Sequence, residues 1–432
     1  MIPARTVIIG LGQTGLSCVH HCLSRGVRPL VMDTRAQPPG AEQLPEGLEC
    51  YFGGLNAEVL CAAELIIASP GVALATPELQ QAAAAGVEII GDVELFVREC
   101  TAPVIAITGS NGKSTVTTLV GEMVAEAGLA VGVGGNIGTP ALELLNAPLD
   151  LAVLELSSFQ LETTPGLRAL AATVLNISED HLDRYDSLSH YRDTKLGIYE
   201  NAGLCVYNRE DDETLPPAGS RAVSFGLNTQ DYSRVERDGE CWLSVHGEPV
   251  LAARELRIVG AHNQLNALAA MALADEAGIP RAAQLAVLRR FAGLAHRCQF
   301  VADKHGVRWI NDSKATNVGA TLAAIDGVAD AVSGRLWLIA GGQGKGQDFA
   351  PLVPLLHTSI AGMACLGQDK EQLLRLSDNT HAVADMAEAV AWCAGQAEPG
   401  DWVLLAPACA SLDMYPNYPA RGDHFAALVE AL

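Results

Sequence analysis

Residue types suited to phosphate chemistry stand together in one short glycine-rich run. It reads Thr108, Gly109, Ser110, Asn111, Gly112, Lys113, Ser114 and Thr115. An apolar strand pattern at 104–107 precedes the run, and apolar residues at helical spacing follow it from Val116. Glycines let backbone N–H groups face an anion, Lys113 would neutralise the β- and γ-phosphates, and the Ser114 hydroxyl would hold Mg²⁺. The run therefore predicts an ATP-binding loop.

One position departs from the general phosphate-loop motif. The motif has a glycine five residues before the Gly-Lys pair, whereas this chain has Ile107 there. The alternative to a nucleotide site is an ordinary turn between a strand and a helix. We favour the nucleotide site, because Gly-Lys-Ser between a strand and a helix seldom arises from packing alone.

A second set of glycines lies near the amino terminus. Gly10, Gly12 and Gly15 follow a strand pattern and open a helix, and Asp33 ends the next strand. This matches the Rossmann dinucleotide fingerprint, which alone would predict an NAD-dependent dehydrogenase. The fingerprint requires a diphosphate near a helix N-terminus and a donor near Asp33, and a uridine diphosphate satisfies this as well as NAD. Beside a separate ATP loop, a nucleotide-linked substrate is the better interpretation.

Several side chains could hold a metal ion. Glu155 ends an apolar strand beside the phosphate loop, where a second magnesium ligand belongs, although an acid that starts a helix is the alternative. Glu179, Asp180, His181 and Asp183 follow another strand, and they suit either a hard cation or a helix start. From the residues alone, Lys195 on a helical stretch would be a surface lysine.

Other polar side chains follow predicted strands or begin a helix. Asn136 stands in a glycine-rich turn that could offer an amide to a phosphate, and Asn266 near the start of an Ala-rich helix could simply cap it. In the last third, Arg297 stands out, together with polar runs at 311–317, 341–345 and 407–413 and with Tyr418. Turns are the alternative for each run, but several such strand ends along one sheet edge favour a binding cleft.

Three units of alternating strands and helices must position these residues. In the first, strands are predicted at 6–10, 29–33, 65–69 and 87–90, and helices at 14–24 and 78–85. In the second, strands are predicted at 104–107, 130–133, 151–155, 173–177, 204–207, 222–225 and 241–245, and a helix at 263–277. In the third, strands are predicted at 307–310, 336–340, 362–366 and 402–405. We predict an α/β fold of three domains: a Rossmann-like domain at 1–92, a central P-loop ATPase-like domain at 93–296 and a Rossmann-like α/β domain at 297–432.

Bulk composition excludes several classes of protein. The formal charge is −22, from 28 basic and 50 acidic residues, and such a surface repels a phosphate backbone, so we expect no nucleic-acid partner. No apolar run reaches the ~18 residues of a membrane span, so we expect no membrane partner. The 11 scattered cysteines and the absence of a signal-peptide pattern lead us to expect a cytoplasmic protein with reduced thiols. We also expect a monomer.

Taken together, these runs resemble the Mur ligases, enzymes of peptidoglycan precursor synthesis. The resemblance spans all three units. A residue other than glycine at Ile107 is normal in this family, because its motif is Thr-Gly-x-Asn-Gly-Lys-Ser/Thr. The run 311–317 resembles the D-glutamate-adding branch. The matching runs are 10–15 with 33–35, 69–71, 108–115, 135–138, 155–160, 179–185, 262–266, 296–297, 311–317 and 407–413.

The resemblance implies both a reaction and roles for residues. The alanyl carboxylate of UDP-N-acetylmuramoyl-L-alanine would attack the γ-phosphate of ATP, and D-glutamate would then attack the acyl phosphate. Lys113, His181 and Lys195 would be catalytic; Ser114 and Glu155 would hold one Mg²⁺, and His181 with a carbamylated Lys195 the second. ATP would also contact residues 108–115, Asn266, Arg297 and Asp312. The UDP-linked substrate would contact Thr14, Asp33, Thr34, Arg35, Gly71 and Asn136. D-Glutamate would contact Lys314, Thr316, Lys345, Ser411 and Tyr418.

Two rival functions stay open at this point. An NAD-dependent dehydrogenase would bind the reduced cofactor. A non-catalytic nucleotide-binding switch would bind ATP but release no phosphate when offered the two substrates.

Overall fold

Three separate β-sheets, one in each third of the chain, organise the protein. The structure is a computed structural model, which describes residues 2–178, 184–228, 231–258, 260–329 and 332–432. The sheets are mixed or fully parallel and are covered by helices, so the predicted α/β class is confirmed.

The first sheet is fully parallel. Its strands are β1 Thr6–Ile9, β2 Leu30–Asp33, β3 Cys50–Phe52, β4 Leu65–Ala68 and β5 Glu88–Ile90, and its helices are α1 Gln13–Ser24, α2 Ala57–Cys61, α3 Pro77–Ala84 and α4 Asp92–Glu99. The strand order is β3-β2-β1-β4-β5. Ile8 packs into one core, while Val7 and Ile9 pack into another, so both faces of β1 are covered. The short, partly exposed β3, the five-residue α2 and the helix α4 were not predicted from the sequence.

The second sheet has nine strands. They are β6 Val104–Thr108, β7 Val131–Gly135, β8 Leu151–Glu155, β9 Ala171–Val174, β10 Cys205–Asn208, β11 Ala222–Phe225, β12 Tyr232–Arg237, β13 Glu240–Val245 and β14 Glu248–Ala252. The helices are α5 Lys113–Glu126, α6 Ser158–Leu161, α7 Leu188–Leu196, α8 Ala261–Glu276 and α9 Arg281–Arg290. The order is β14-β13-β12-β11-β10-β9-β6-β8-β7, parallel except for the meander β12-β13-β14. Sequence analysis missed β12, β14 and α9. The phosphate-loop strand β6 lies between β8 and β9.

The third sheet has six strands. They are β15 Gln299–Lys304, β16 Val307–Asn311, β17 Leu336–Gly341, β18 Ile360–Leu366, β19 Thr380–Ala382 and β20 Trp402–Leu405. The helices are α10 Val318–Ala329, α11 Val353–Thr358, α12 Lys370–Leu374, α13 Met386–Gln396 and α14 Tyr418–Glu430. The order is β15-β16-β20-β17-β18-β19, and β15 alone among these runs antiparallel to its neighbour. Because β20 lies between β16 and β17, the three polar runs that follow these strands emerge side by side, as predicted.

Short 3₁₀ helices complete the secondary structure. They span Ala41–Gln43, Ala141–Asn146, Gly197–Tyr199, Asp212–Thr214, Ala253–Glu255 and Ala350–Leu352. Among the described residues, none of the helices has the length and apolar character that a membrane crossing requires.

Candidate active site

The phosphate loop joins β6 to α5, as the sequence predicts. Its two glycines adopt positive φ angles, +145° at Gly109 and +81° at Gly112, and the helix begins at Lys113. A Cβ on Gly109 would lie 3.1 Å from the backbone nitrogen of Leu175. Glycine is therefore needed at Gly109 for its backbone angle and for its packing against the segment after β9.

A segment that sequence analysis did not assign to this site holds the loop in shape. The backbone N–H of Ser110 donates to the Asn176 carbonyl at 2.9 Å, and the N–H of Asn111 donates to Asn176 Oδ1 at 2.8 Å. The Ser178 N–H donates to Ser110 Oγ at 2.9 Å. The sequence did show a polar run after this strand. That run was interpreted as a possible cation site or helix start, and not as a support for the phosphate loop.

Lysine and arginine side chains converge on the loop. Lys113 Nζ donates to the carbonyl oxygens of Gly109 at 2.7 Å and Ser110 at 2.9 Å. Arg297 Nη2 donates to Ser114 Oγ at 2.8 Å, across 183 residues of sequence. Positive charge from the second and third units therefore meets at the loop, which suits a polyphosphate ligand.

Lys195 is buried beside the same loop, so the expectation of a surface lysine was wrong. Its side chain is 1% exposed, and Nζ donates to Thr108 Oγ1 at 3.3 Å and to the Gly109 carbonyl at 3.1 Å. Nζ also lies 4.7 Å from the centre of the Tyr191 ring. A lysine in such a place is expected to serve a function, because burying an ammonium group costs free energy.

Glu155 ends β8 next to the phosphate loop. The carboxylate is 2% exposed, and Asn136 Nδ2 donates to its Oε1 at 2.7 Å. The other oxygen, Oε2, is buried and has no hydrogen-bond partner among the described residues. A buried carboxylate oxygen without such a partner fits a cation, and Mg²⁺ prefers oxygen ligands of this kind.

A cavity of about 310 Å³ lies between the first and second units. It brings together three residues predicted to contact a UDP-linked substrate, Thr14, Gly71 and Asn136. Its other walls come from Gly12, Gln13, Ser69, Pro70, Gly135, Gly138, Pro140 and Gln160. A larger cavity of about 490 Å³ lies at the opposite, amino edge of the first sheet, and no predicted site residue lines it.

Asp33, Thr34 and Arg35 lie at the carboxyl end of β2, outside the walls of this cavity. Asp33 accepts from the Leu11 N–H at 2.7 Å and from Arg35 Nη2 at 2.7 Å. Burial raises the pKa of Asp33, but the hydrogen bonds from Arg35 and Leu11 outweigh it and lower the pKa to about 2. Asp33 Oδ1 also accepts from the Arg35 N–H at 2.8 Å and from Arg35 Nε at 2.9 Å, so both carboxylate oxygens have partners within the protein.

Asn266 contacts the phosphate loop, and Asp312 lies near Arg297, which reaches the same loop. A Cβ on Gly112 would lie 3.3 Å from Asn266 Cγ, so this amide touches the loop, and its Nδ2 donates to Asn263 at 3.2 Å. Asp312 accepts from the Cys298 N–H at 3.1 Å. Burial raises the pKa of Asp312 to about 6, although that N–H and the Arg297 charge oppose the shift.

Residues predicted for D-glutamate lie on neighbouring loops of the third sheet. Lys314 Nζ is 4.4 Å from the centre of the Tyr418 ring, and Ser411 is buried. Thr316 follows β16 and the exposed Lys345 follows β17. The loops after β17 and β20 are joined by a bridge between Gln343 and Ala410. The structure shows direct contact for Lys314 and Tyr418, and a shared sheet edge for the others.

A buried arginine that sequence analysis did not single out ties these loops together. Arg421 on α14 donates to Ser313 Oγ at 3.0 Å, to the Ser313 carbonyl at 2.7 Å and to the Cys409 carbonyl at 3.1 Å. Burial lowers its pKa to about 10. Arg421 lies four residues before the buried Phe425 and eight before the buried Val429. This helical spacing places it on the same buried face of α14, which the sequence could have indicated.

His181, predicted as a catalytic residue and metal ligand, lies outside the described residues, together with Glu179, Asp180 and Asp183. Within the described part of the chain, no group of three or more His, Cys, Asp or Glu side chains could hold a metal ion.

Comparisons with known families match all three units. Residues 4–91 match the Mur ligase MurD-like N-terminal domain, residues 107–274 the Mur ligase middle domain, and residues 296–409 the Mur ligase glutamate ligase domain. The chain is 56% identical over 430 residues to a UDP-N-acetylmuramoylalanine--D-glutamate ligase of Shigella boydii, covering 99% of this chain and 98% of that one. It is 57% identical over 432 residues to the protein of that name from Yersinia pseudotuberculosis, with the same coverage.

Solved structures with the same architecture include two from Thermotoga maritima. The UDP-N-acetylmuramate-alanine ligase MurC superposes with a TM-score of 0.62 at 20% identity, covering 99% of both chains. The MurF ligase, in complex with ADP, gives a TM-score of 0.64 at 14% identity, covering 98% of this chain and 94% of that one. Identities this low support the fold alone, and it is the family matches with the close relatives that establish membership. This chain belongs to the Mur ligase family.

Proposed function

We propose that this chain joins D-glutamate to UDP-N-acetylmuramoyl-L-alanine. As a Mur ligase it is an ATP-dependent ligase, and close relatives carry the name UDP-N-acetylmuramoylalanine--D-glutamate ligase. The alanyl carboxylate would attack the γ-phosphate of ATP and release ADP. The amine of D-glutamate would then attack the acyl phosphate, and phosphate would leave.

The observation that supports this proposal best is the hydrogen bond between Asn136 and Glu155. Asn136 lines the cavity of the UDP-linked substrate, and Glu155 lies beside the phosphate loop. One side-chain contact thus joins the two nucleotide sites. Phosphoryl transfer from ATP to a carboxylate requires this proximity, since the protein contributes chiefly position and charge neutralisation.

We assign the remaining ligand contacts by unit. Residues 1–92 would bind the UDP moiety, 93–296 ATP, and 297–432 D-glutamate. Lys113 would neutralise the transferring phosphate, and Arg297 already reaches the phosphate loop. Asn266 and Asp312 would contact ATP. The amino acid would lie among Lys314, Thr316, Lys345, Ser411 and Tyr418.

We propose two Mg²⁺ ions for this site. Ser114 and Glu155 would hold one, and His181 with a carbamylated Lys195 would hold the second. When bound, the ions would neutralise phosphate charge. A carbamate would convert the Lys195 ammonium into an anionic oxygen ligand, while its N–H could still donate to the Gly109 carbonyl. Cytoplasmic location and a monomeric state stay predictions.

Phosphate release across a panel of amino acids tests the function. With ATP, Mg²⁺ and UDP-N-acetylmuramoyl-L-alanine present, we expect release with D-glutamate and background rates with L-glutamate, L-alanine and diaminopimelate. Release with another amino acid would move the chain to a different branch of the family. Release with none, together with binding of reduced nicotinamide cofactor detected by fluorescence, would restore the dehydrogenase interpretation.

A further inference from the structure

Arg184 connects the second unit to the first at the edge of the UDP-substrate cavity. Its Nη1 donates to the Pro70 carbonyl at 2.7 Å and its Nη2 to the Val72 carbonyl at 3.3 Å. Residues 70–72 follow β4 of the first sheet, whereas Arg184 belongs to the second unit, 112 residues or more away in sequence. A single side chain therefore holds two backbone carbonyls of another unit.

The same guanidinium is fixed from the other side by its own unit. It lies 4.0 Å from the centre of the Phe159 ring, and Nη2 is 3.3 Å from Glu162 Oε2. Tyr185 OH donates to the other oxygen of Glu162 at 2.5 Å. The Arg184 side chain is 16% exposed and that of Glu162 18%, so the ion pair is largely shielded from water. This geometry leaves the guanidinium little freedom.

Both elements that Arg184 holds form walls of the cavity. Ser69, Pro70 and Gly71 line one side. Gln160, on the same short helix α6 as Phe159, lines another, and a capping box with Ser157 fixes that helix at its first turn. Arg184 thus sets the separation of two walls that approach each other from different units.

We propose that Arg184 is a positioning residue for the UDP-linked substrate: it fixes the 70–72 loop against α6 and so presets the width of the diphosphate cavity. This inference rests on the proposed function. Without the hydrogen bonds from Arg184, the 70–72 loop would have to become ordered when the substrate binds. The entropy cost of that ordering would reduce the affinity for this substrate. ATP lies on the other side of the Asn136–Glu155 contact, so its binding should be nearly unaffected.

The test compares R184A, R184K and R192A in the full chain. Arg192 is the matched control, since it lies in the next helix and pairs with Asp193 and Glu213 without reaching the first unit. We would measure kcat, KM for all three substrates, and the Kd of UDP-N-acetylmuramoyl-L-alanine by calorimetry. Kd and KM for this substrate should rise about tenfold in R184A, as expected for loss of hydrogen bonds from a charged donor.

R184K should show a weaker rise in the same direction, because an ammonium group keeps the charge but cannot span both carbonyls and stack on Phe159. KM for ATP and D-glutamate should stay within about twofold of wild type in every variant, and R192A should match wild type. If R184A fails to fold, R184K alone decides.

Three results would overturn the inference. They are unchanged affinity in the variants, an equal rise of KM for all three substrates, and an R192A effect as large as that of R184A. Failure of the wild-type chain to bind UDP-N-acetylmuramoyl-L-alanine would overturn the proposed function and this inference with it. Normal binding by wild type with unchanged binding by R184A and R184K would overturn the inference alone.

Discussion

Buried charged side chains carry the chemistry of this protein at the scale of single residues. Lys195 and Glu155 are almost fully buried beside the phosphate loop, and Glu155 Oε2 has no hydrogen-bond partner among the described residues. Burial of a charge is costly unless a partner compensates for it. We therefore propose that Mg²⁺ satisfies the free oxygen of Glu155 and that Lys195 carries a carbamate.

Lys195→Ala tests the carbamate directly. Turnover should fall by about two orders of magnitude or more, as for loss of other preorganised charge stabilisation. Because alanine leaves a space beside the loop, short carboxylic acids such as acetate should restore part of the rate by supplying the missing anionic oxygen. Steady-state phosphate release with and without acetate measures this. Undiminished activity in the variant, or loss with no rescue at any acetate concentration, would argue against the carbamate.

We expect Asp312, proposed as a contact of ATP, to make ATP binding dependent on pH. Burial raises its pKa to about 6, so the carboxylate predominates above that pH and the neutral acid below it. The folded chain thus binds this proton more tightly than the unfolded chain, and the cost of burying the charge is relieved as pH falls through about 6. We propose that Asp312 contacts the ribose of ATP. A neutral acid accepts hydrogen bonds from ribose hydroxyl groups less well, so KM for ATP should rise as the pH falls over this range.

The control for this pH dependence is Asp312→Asn, which cannot titrate. KM for ATP in the variant should be raised at pH 7 and should stay flat between pH 7 and 5. A flat profile for the wild-type chain would show that Asp312 does not govern ATP affinity.

At the scale of elements, the site residues lie at the carboxyl ends of neighbouring strands, and glycines allow helices to pack closely beside these ends. The polar runs after β6, β8 and β9 meet because these strands are neighbours, and those after β16, β20 and β17 meet for the same reason. In the first sheet, the start of α1 packs closely on the turn after β1. A Cβ on Gly15 would clash with the Gly10 carbonyl oxygen, whereas one on Gly12 would meet nothing within 4 Å.

Gly15→Ala should therefore destabilise the protein although alanine is the better helix former. The clash would push α1 away from β1, and overpacking of this kind costs about 1–3 kcal/mol. Urea unfolding followed by circular dichroism measures the free energy of unfolding. Gly12→Ala is the control without a clash, and it should lower this free energy less, since it loses only the preference for glycine over alanine at the N-cap of α1. Equal midpoints for the two variants would contradict the packing argument.

At the scale of the whole molecule, contacts between described residues of the third and second units include the following two. Arg297 reaches Ser114, and α10 packs on the start of α8 through glycines: a Cβ on Gly327 would overlap the His262 ring, and one on Gly260 would overlap Gly327. Since α8 also carries Asn266 beside the phosphate loop, this contact links the position of the third unit to the ATP site. The residues that we propose to bind D-glutamate depend on that position.

Gly327→Ala should lower kcat about tenfold or more, since small displacements of reacting groups are costly. Helix α10 itself should not weaken, because alanine is favoured over glycine within a helix. Gly395→Ala is the control: this glycine lies in α13, with nothing within 4 Å of an added Cβ. Turnover with all substrates saturating measures the effect. A Gly327→Ala enzyme as active as wild type would show that the α8–α10 contact does not set the catalytic geometry.

Local patterns were sufficient to predict the strands that matter most and the two glycine-rich loops. A strand, a glycine-rich turn and a helix face lie within some twenty residues, so the ATP loop at 108–115 could be recognised without knowing the fold. The family resemblance then explained why Ile107 replaces the glycine of the general motif, and it also gave the assignment of the substrates. Short or exposed elements such as β3, α2 and β19 gave no comparable periodic signal.

Only the tertiary structure showed that Lys195 is buried, that Arg184 and Arg421 join distant segments by hydrogen bonds, and that Asn136 contacts Glu155. Lys195 meets Thr108 across 87 residues, and Arg184 meets Pro70 across 114. Local sequence reports which residue types are present and which way an element faces. Burial and hydrogen-bond partners, in contrast, arise when distant segments pack together, and the energetic effect of a charge depends on that packing.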